Sequence, residues 1–303
     1  MAQATKDGES PMLEVAHVTR RFGENVAVDD VSFAVPPGAL TGFVGGNGAG
    51  KTTTMRMIMG VLAVQSGEIR WAGRPVTELD RRSFGYMPEE RGLYPKQPVL
   101  DQLVYLARLR GLPAGEAKTR TETLLERFDL GSRGKDKLES LSLGNQQRVQ
   151  IAAAVIAQPT ALILDEPFSG LDPVAVDSMV ELLREYADQG VPVLFSSHQL
   201  DLVEQLCDQL VVLASGRVVG QGSVDELRSS GGSRYRLVLE GDAGWLRDYP
   251  GIRVVESVGP RVLFEIDGGG TDGVLKEALS RGSVREFTEA RPTVAEIYRE
   301  VTA

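Results

Sequence analysis

Residues 45–53 constrain the fold of this chain more than any other stretch, because they read Gly-Gly-Asn-Gly-Ala-Gly-Lys-Thr-Thr and fit the phosphate-loop pattern G-x-x-x-x-G-K-[ST]. The glycines of this phosphate loop let successive N–H groups turn toward a bound phosphate. The apolar run 40–44 predicts a buried strand before the loop, and residues 52–61 predict a helix whose N-terminus faces the phosphates. A strand, a phosphate loop and a helix in this order predict an α/β fold that binds ATP or GTP.

Two side chains of the phosphate loop carry specific chemistry. Lys51 supplies a positive charge for the β- and γ-phosphates, and the hydroxyl of Thr52 is a ligand for Mg²⁺. The residues predicted to bind the phosphates are Gly45, Gly46, Asn47, Gly48, Ala49, Gly50, Lys51, Thr52 and Thr53.

Composition excludes several classes of protein. The 303 residues are 42% hydrophobic and 25% charged, which is ordinary for a globular chain with a real core. No apolar stretch approaches the roughly 18 residues of a membrane span, and the polar residues 1–11 predict a flexible tail rather than a signal peptide. The single cysteine, Cys207, rules out an internal disulfide, and the net charge of −9 argues against nucleic-acid binding.

The order of strand and helix patterns predicts two domains. Strand patterns at 13–18, 31–35 and 40–44 precede a helical stretch, about 90–158, and strands return at 161–164, 191–195 and 210–213 with helices between them. Such alternation indicates parallel strands joined by helical crossovers. The run Ser-Ser-Gly-Gly-Ser at 229–233 predicts a linker between a domain at 12–228 and a small α+β domain at 234–303. In the latter, Thr293 and Glu296 form the capping box of a last helix.

Candidate catalytic groups follow two of the predicted strands. The apolar strand 161–164 ends in Asp165, a candidate Mg²⁺ ligand, and Glu166, a candidate for polarising an attacking water. His198 follows the strand 193–197, where it could donate a hydrogen bond to a γ-phosphate and tie it to the catalytic acid. From these residues alone, a helix-capping role of the acids and a structural role of the histidine stay open.

Residues 141–145, which read Leu-Ser-Leu-Gly-Asn, open a predicted helix. Ser142 can cap this helix, and the free N–H groups at its start form an anion site. Taken alone, the pattern fits a plain capped helix as well as a phosphate contact. We refer to residues 141–145 as the signature segment.

The order of these motifs, with Pro167 after the acids and Ser-Gly-Leu-Asp at 169–172, resembles the ATP-binding subunit of a bacterial ABC transporter. The resemblance covers about residues 12–225. It implies a P-loop NTPase core with a mostly parallel sheet, an antiparallel β subdomain and a helical subdomain. It also implies a head-to-tail dimer, homo- or heterodimeric, that encloses two ATP molecules. The signature residues Ser142, Leu143, Gly144 and Asn145 would then contact the ATP of the other subunit.

The resemblance assigns further roles to single residues. Phe22 takes the place of the aromatic residue that stacks on adenine, although a core role for its ring is an alternative. Lys51 and the loop amides hold phosphate, Glu166 orients water and His198 holds the γ-phosphate. This makes Glu166, His198 and Lys51 the predicted catalytic residues of an ATPase.

Four positions depart from the family pattern. Gly46 replaces a usual proline or serine, and Leu143 and Asn145 replace the glycine and glutamine of the signature. Glu89 replaces the glutamine that touches Mg²⁺. We hypothesise that Glu89 keeps this metal role beside Thr52 and Asp165; a solvated acid next to Glu90 and Arg91 is the alternative.

Two segments resemble exporter-type subunits, namely residues 90–95, with Leu93 and Tyr94 as candidate interface residues, and residues 291–298. The sequence therefore predicts a cytoplasmic ATPase subunit, peripheral on the inner face of the membrane, that energises a separately encoded permease for export. A buried turn is the alternative for Leu93 and Tyr94. The alternative functions are a non-transport ABC ATPase acting on ribosomes or nucleic acid and a regulator that binds nucleotide without hydrolysis. The C-terminal domain is predicted to serve dimerisation, regulation or capping of the sheet.

Overall fold

The computed structural model describes residues 11–90, 92–229, 234–266, 270–290 and 293–302. Nearly all of the predicted tail at 1–11 and of the predicted linker at 229–233 lies outside these residues. The chain divides into two compact units, Met1–Gly222 and Ser223–Ala303. The helix α8 (Val224–Ser229) belongs to the second unit, whereas the sequence pattern assigned it to the first domain.

A six-stranded sheet forms the centre of the first unit, in the order β10-β9-β3-β8-β7-β6. Its strands are β3 (Leu40–Gly45), β6 (Phe84–Met87), β7 (Ala161–Leu164), β8 (Val193–Ser197), β9 (Gln209–Ala214) and β10 (Arg217–Ser223). The pairs β3–β8, β3–β9, β6–β7 and β7–β8 are parallel, which confirms the predicted mostly parallel sheet. Every residue of β3, β7 and β8 is buried, as parallel strands covered on both faces require. Strand β8 starts two residues later than predicted, because Pro192 has no N–H for the ladder.

Helices of the first unit connect these strands. They are α1 (Lys51–Ile58), α2 (Glu78–Ser83), α3 (Val99–Leu109), α4 (Ala114–Arg127), α5 (Leu143–Val155), α6 (Pro173–Asp188) and α7 (Leu200–Leu206). Helix α1 is shorter than predicted because Gly60, with a left-handed φ of +71°, turns the chain away. None of the helices in the described part of the chain combines the length and the apolar character needed to cross a membrane.

A smaller antiparallel sheet has the order β2-β1-β4-β5. Its strands are β1 (Leu13–Phe22), β2 (Asn25–Val35), β4 (Ser66–Trp71) and β5 (Arg74–Pro75). The hairpin between β1 and β2 places Phe22 at the end of its strand, paired with Asn25. Gly67 in β4 has a φ of +79°, and a Cβ there would lie 2.1 Å from the carbonyl oxygen of His17. Only glycine fits this crossing of strands.

The second unit contains an antiparallel sheet in the order β12-β13-β11-β14. Its elements are β11 (Arg234–Glu240), β12 (Ile252–Val258), β13 (Arg261–Ile266), α9 (Thr271–Arg281), β14 (Ser283–Ala290) and α10 (Val294–Thr302), besides α8. The capping box is confirmed: Thr293 N–H donates to Glu296 Oε2 at 2.7 Å, and Glu296 N–H donates to Thr293 Oγ1 at 3.2 Å. Strand β14 was not predicted from the sequence, because its charged residues hide the alternation of a strand.

Candidate active site

The phosphate loop connects β3 to α1 and takes a conformation that depends on glycine. Gly48 and Gly50 have φ values of +78° and +106°. A Cβ on Gly50 would lie 2.6 Å from the carbonyl oxygen of Ala27, so a larger residue would push the loop away from β2. The loop and the start of α1 together direct free backbone N–H groups to one place, which is an anion site.

A cavity of about 430 Å³ lies against the phosphate loop. It brings together most residues predicted to act on the nucleotide. The lining residues are Phe22, Asn25, Ala27, Asn47, Gly48, Ala49, Gly50, Lys51, Thr52, Thr53, Glu89, Asp165 and Glu166. Asn25 and Ala27, just after the turn that follows Phe22, were not predicted from the sequence.

Phe22 stands at the rim of this cavity with 48% of its surface exposed, so the alternative of a core role is wrong. The guanidinium of Arg20 lies 5.0 Å from the centre of its ring, within the range of a cation–π contact. Arg20 also donates to the carbonyl oxygen of Ala63, which ties the end of β1 to the segment after α1. An exposed aromatic ring held in this way is a surface on which a flat base can stack.

The ammonium group of Lys51 is held inside the phosphate loop. Its Nζ donates to the carbonyl oxygens of Gly45 at 2.7 Å and Gly46 at 3.2 Å, and the residue is only 8% exposed. Gly45 and Gly46 do not line the cavity, but their carbonyl oxygens hold the ammonium group of Lys51. The positive charge therefore lies where anionic oxygens bound to the loop amides would meet it.

Asp165 and Glu166 follow β7 and are linked by one hydroxyl. Ser196 Oγ of β8 donates to Asp165 Oδ1 at 2.5 Å and accepts the N–H of Glu166 at 2.8 Å. Glu166 has a φ of +53°, a left-handed conformation that costs a non-glycine residue about 1–3 kcal/mol. The bond to Ser196 helps to hold this strained residue in place.

Glu166 and His198 form a pair between two neighbouring strand ends. His198 Nδ1 lies 2.9 Å from Glu166 Oε2. The side chain of Glu166 is 14% exposed and that of His198 is 57% exposed. A mostly buried carboxylate at the cavity wall, held by a histidine that reaches solvent, can accept a proton from water while the histidine contacts a nearby anion.

This chain is similar over almost its whole length to proteins of one family. The family model described as "ABC transporter" matches residues 28–169, and the model described as "ATP-binding protein DrrA1-3-like, C-terminal domain" matches residues 222–302. An uncharacterized ABC transporter ATP-binding protein of Bacillus subtilis (strain 168), YhaQ, is 42% identical over 294 residues, which are 95% of this chain and 98% of that protein. The chain belongs to the ABC transporter ATP-binding proteins.

A second relative and a solved structure support the assignment to this family. The Nod factor export ATP-binding protein I of Paraburkholderia xenovorans (strain LB400) is 35% identical over 221 residues, 72% of this chain and 73% of that protein. A solved structure of the ATP-binding subunit of an ABC transporter is 34% identical, with a TM-score of 0.67 over 72% of this chain and 92% of that one. Members of this family hydrolyse ATP together with Mg²⁺, so the resemblance read from the motifs is confirmed and the chain is an ATPase subunit.

The site of this ABC subunit fits a magnesium ion that is shared with nucleotide phosphates. Asp165 is 1% exposed, and its Oδ2 is buried without a hydrogen-bond partner among the described residues, as expected for an oxygen reserved for a cation. Thr52 Oγ1 donates to Glu89 Oε2 at 3.4 Å. The three residues predicted to bind the metal, Thr52, Glu89 and Asp165, line the same cavity. In the described ranges no cluster of three or more His, Cys, Asp or Glu side chains forms a complete metal site. Mg²⁺ commonly takes one or two carboxylates and completes its shell with water and phosphate oxygens.

The signature residues lie apart from the phosphate-loop cavity of their own ABC subunit. Ser142 caps α5, where its Oγ accepts the N–H of Asn145 at 3.4 Å. Neither Ser142, Gly144 nor Asn145 lines that cavity or the adjoining one of about 430 Å³. Leu143 does line the adjoining cavity, whose walls are Asn47, Glu89, Leu143, Gln147, Gln150, Glu166, Ser169 and His198. Leu143 is half exposed and packs on Gly170.

Two residues that hold the catalytic acids were not predicted from the sequence. One is Ser196, whose signal was a pair of serines at the end of an apolar, buried strand. The other is Gln147, whose Nε2 donates to the carbonyl oxygens of Glu166 at 2.9 Å and Pro167 at 3.0 Å. Its signal was a glutamine pair on the buried face of a helix. Both sequence patterns are common in proteins, so the role of these two residues can be assigned only from their contacts in the structure.

Proposed function

We propose that this chain energises a separately encoded membrane permease by ATP hydrolysis, and that the transport is export. One observation carries the hydrolytic role: the Glu166 carboxylate, paired with His198, lies in the wall of the cavity that contains the phosphate loop. Export is supported by the Nod factor export relative and by the match of residues 222–302 to a DrrA1-3-like domain.

Within this proposal each side chain has one task. Lys51 and the amides of the phosphate loop bind the β- and γ-phosphates, and Phe22 stacks on the base. Thr52, Asp165 and Glu89 would hold Mg²⁺, which neutralises phosphate charge when bound. Glu166 orients and deprotonates the attacking water, and His198 contacts the γ-phosphate while it holds the carboxylate of Glu166.

We further propose that the active form is a head-to-tail dimer, homomeric or heteromeric. The support is that Ser142, Gly144 and Asn145 form a capped helix start that their own phosphate-loop cavity does not use. The N–H groups at such a start are suited to an anionic ligand, here the nucleotide held by the second copy. ATP would thus close the dimer, and hydrolysis would reopen it.

The permease partner is proposed to contact a groove beside β6. A cavity of about 220 Å³ lies there between the segment after β6 and helices α3 and α5, and its lining includes Leu93, Tyr94 and Tyr105. Both tyrosines are more than half exposed, which suits an interface rich in aromatic residues. The subunit would accordingly lie at the cytoplasmic face of the membrane, held there by its permease.

The Glu166→Gln variant tests the hydrolytic role. We expect phosphate release to fall by about 10²-fold or more, the scale of losing a general base, while ATP binding is retained. Turnover close to that of the wild type would exclude Glu166 as the base. If the unmodified chain does not bind ATP, the proposed function itself is contradicted.

The Glu89→Gln variant tests the metal role, with Glu90→Gln as a matched control because Glu90 is exposed and lines neither cavity. We expect Glu89→Gln to change the Mg²⁺ concentration needed for half-maximal ATP binding, since it removes one negative charge from the metal site. Titration with a fluorescent ATP analogue measures this directly. An unchanged Mg²⁺ dependence and rate would contradict the metal role of Glu89.

A further inference from the structure

The backbone around Glu166 is held from two other elements of the first unit. Its N–H donates to Ser196 of β8, and its carbonyl oxygen accepts from Gln147 of α5. Pro167 has no N–H, so the peptide group between Glu166 and Pro167 offers only its one carbonyl oxygen to a partner. Gln147 takes the oxygens of both residues with a single amide nitrogen. This amide therefore holds the two peptide groups on either side of Pro167, directly after the residue that carries the catalytic carboxylate.

Gln147 belongs to the helix that starts at the signature segment. It lies five residues after the cap Ser142, and it is 7% exposed. The first turn of α5 also touches the loop that follows the acids: Leu143 packs on Gly170, and a Cβ on Gly144 would lie 3.1 Å from the Gly170 carbonyl oxygen. Backbone hydrogen bonds join each turn of a helix to the next, and Gln147 lies little more than one turn from the start of α5, so a displacement of that start also displaces Gln147.

We infer that Gln147 is a positioning residue that transmits the state of the signature segment to Glu166 of the same subunit. The inference rests on the proposed function, in which Ser142 and its neighbours contact the nucleotide of a second copy. When that nucleotide engages the start of α5, the helix settles, and Gln147 brings the Glu166–Pro167 peptide into the orientation that hydrolysis requires. Each site of the dimer then becomes competent when the opposite site is filled.

A purely structural role of Gln147 makes a different prediction. A buried amide that merely satisfies two carbonyl oxygens would contribute to folding stability, and its loss would leave the turnover of the folded fraction unchanged. A positioning role would instead lower kcat and leave nucleotide affinity nearly unchanged, because Gln147 does not line the cavity at the phosphate loop. The separation of kcat from Kd therefore distinguishes the two.

The test uses the full chain with Gln147→Met, which keeps the length of the side chain and removes the donor. The control is Tyr186→Phe, which removes a bond to the opposite end of α5, where the tyrosine hydroxyl donates to the carbonyl oxygen of Val155 at 3.2 Å. We expect kcat of Gln147→Met to fall roughly 10- to 100-fold, the scale of a catalytic group misplaced by up to 1 Å. Its Kd for an ATP analogue that is not hydrolysed should stay within about threefold, and Tyr186→Phe should change neither quantity. A kcat of Gln147→Met within twofold of the wild type would overturn the inference.

Transmission from the signature segment is tested by a double-mutant cycle on kcat with Ser142→Ala and Gln147→Met. If contact of the nucleotide with the start of α5 is transmitted to Glu166 through Gln147, the double variant should lose less kcat than the two single variants predict. Its fold-loss in kcat should be at least about threefold smaller than the product of the two single losses. Ser142→Ala combined with Tyr186→Phe should be additive. Additive losses in the first cycle would overturn the transmission.

A second variant keeps the inference testable if Gln147→Met does not fold. In Gln147→Glu the carboxyl group can donate to the carbonyl oxygens only when it is protonated. Burial and the acids Glu89 and Glu166 in the same cavity wall favour the protonated form, whereas a protonated His198 in that wall opposes it. Its kcat relative to the wild type should therefore fall as the pH rises from 5.5 to 8. A constant ratio would contradict a role for the donated hydrogen bond. If the wild type itself releases no phosphate from ATP, the proposed function fails rather than this inference.

Discussion

Ser196→Ala is the substitution for which the structure gives the sharpest expectation. The Ser196 hydroxyl is fully buried and joins the two acids, because it donates to Asp165 Oδ1 at 2.5 Å and accepts the Glu166 N–H at 2.8 Å. Alanine leaves both groups without this partner, and the other carboxylate oxygen of Asp165 already has none in the described part of the chain.

The magnitude follows from these two bonds. A hydrogen bond to a charged group contributes about 1.5–3 kcal/mol, and a buried N–H left without a partner costs about 1–3 kcal/mol. We expect the free energy of unfolding to fall by about 3 kcal/mol, which is near the lower end of the two losses taken together. The lower end applies because Glu166 can relax part of the strain of its φ of +53° once the bond is gone. For a unit of this size that corresponds to roughly 6–12 °C in Tm.

The activity of Ser196→Ala should fall as well. Without the bond to Ser196, Glu166 is held from α5 and His198 alone, so its carboxylate samples more positions. We expect kcat to fall roughly 10- to 100-fold by misplacement of the base, with a much smaller change in the Kd for ATP. Calorimetry without nucleotide measures the Tm, and phosphate release at saturating Mg²⁺ and ATP measures kcat.

Ser197→Ala is the matched control. Ser197 is the next residue of the same strand, it is 2% exposed, and its Oγ accepts the N–H of Gln199 at 3.0 Å instead of contacting the acids. We expect this variant to lose about 1 kcal/mol and to keep its kcat within about threefold. Equal losses of Tm and of kcat in the two variants would refute the reasoning, because the contacts with the acids would then carry no special weight.

Three further predictions concern other parts of the chain. Phe22→Ala should weaken ATP binding by about 1–3 kcal/mol, the range for one base stacked on an aromatic ring, and a nucleotide titration with no change would contradict that role. Gly67→Ala should prevent folding or lower the Tm far more than Gly73→Ala: both glycines have φ values near +75°, but a Cβ meets a carbonyl oxygen at 2.1 Å in the first and no atom within 4 Å in the second. Similar melting curves would contradict the steric argument. Burial raises the pKa of Glu265, but hydrogen bonds from two arginines outweigh burial and hold that pKa below its ordinary value. The stabilisation is therefore complete above the unfolded pKa of about 4.3 and is lost as the pH falls below it. Unfolding curves between pH 3 and 7 should show a shallower acid loss for Glu265→Gln, and parallel curves would contradict this.

The sequence predicts those parts of the molecule that depend on neighbours in the chain. The phosphate loop follows from nine consecutive residues, and the buried strands β3 and β7 follow from short apolar runs. The capping box of α10 follows from two residues that are three positions apart. In each case the residues that cause the local structure lie next to each other or within a few positions in the sequence, so the feature can be recognised without a structure.

The contacts around Glu166 could not be predicted in this way. Ser196 is 30 residues away from it and Gln147 is 19 residues away, so the pairing depends on how strands and helices assemble. Strand β14 was missed for a related reason. Four of its eight residues are polar or charged and exposed, namely Ser283, Arg285, Thr288 and Glu289, and tertiary pairing with β11 decides its conformation.

The position of Glu89, by contrast, is a consequence of sheet register. Strands β6 and β7 are parallel neighbours with Met87 opposite Leu164, and Glu89 and Glu166 each lie two residues beyond that pair. The register therefore places the backbone of residue 89 beside the site, whatever side chain it carries. With glutamate there, three carboxylates and one ammonium group are present among the described residues that line the cavity. ATP adds more negative charge to the same space, so electrostatic repulsion between the nucleotide and the protein has to be offset by a cation. We therefore expect this chain to differ from family members with glutamine at that position in the charge of the site and not in its geometry.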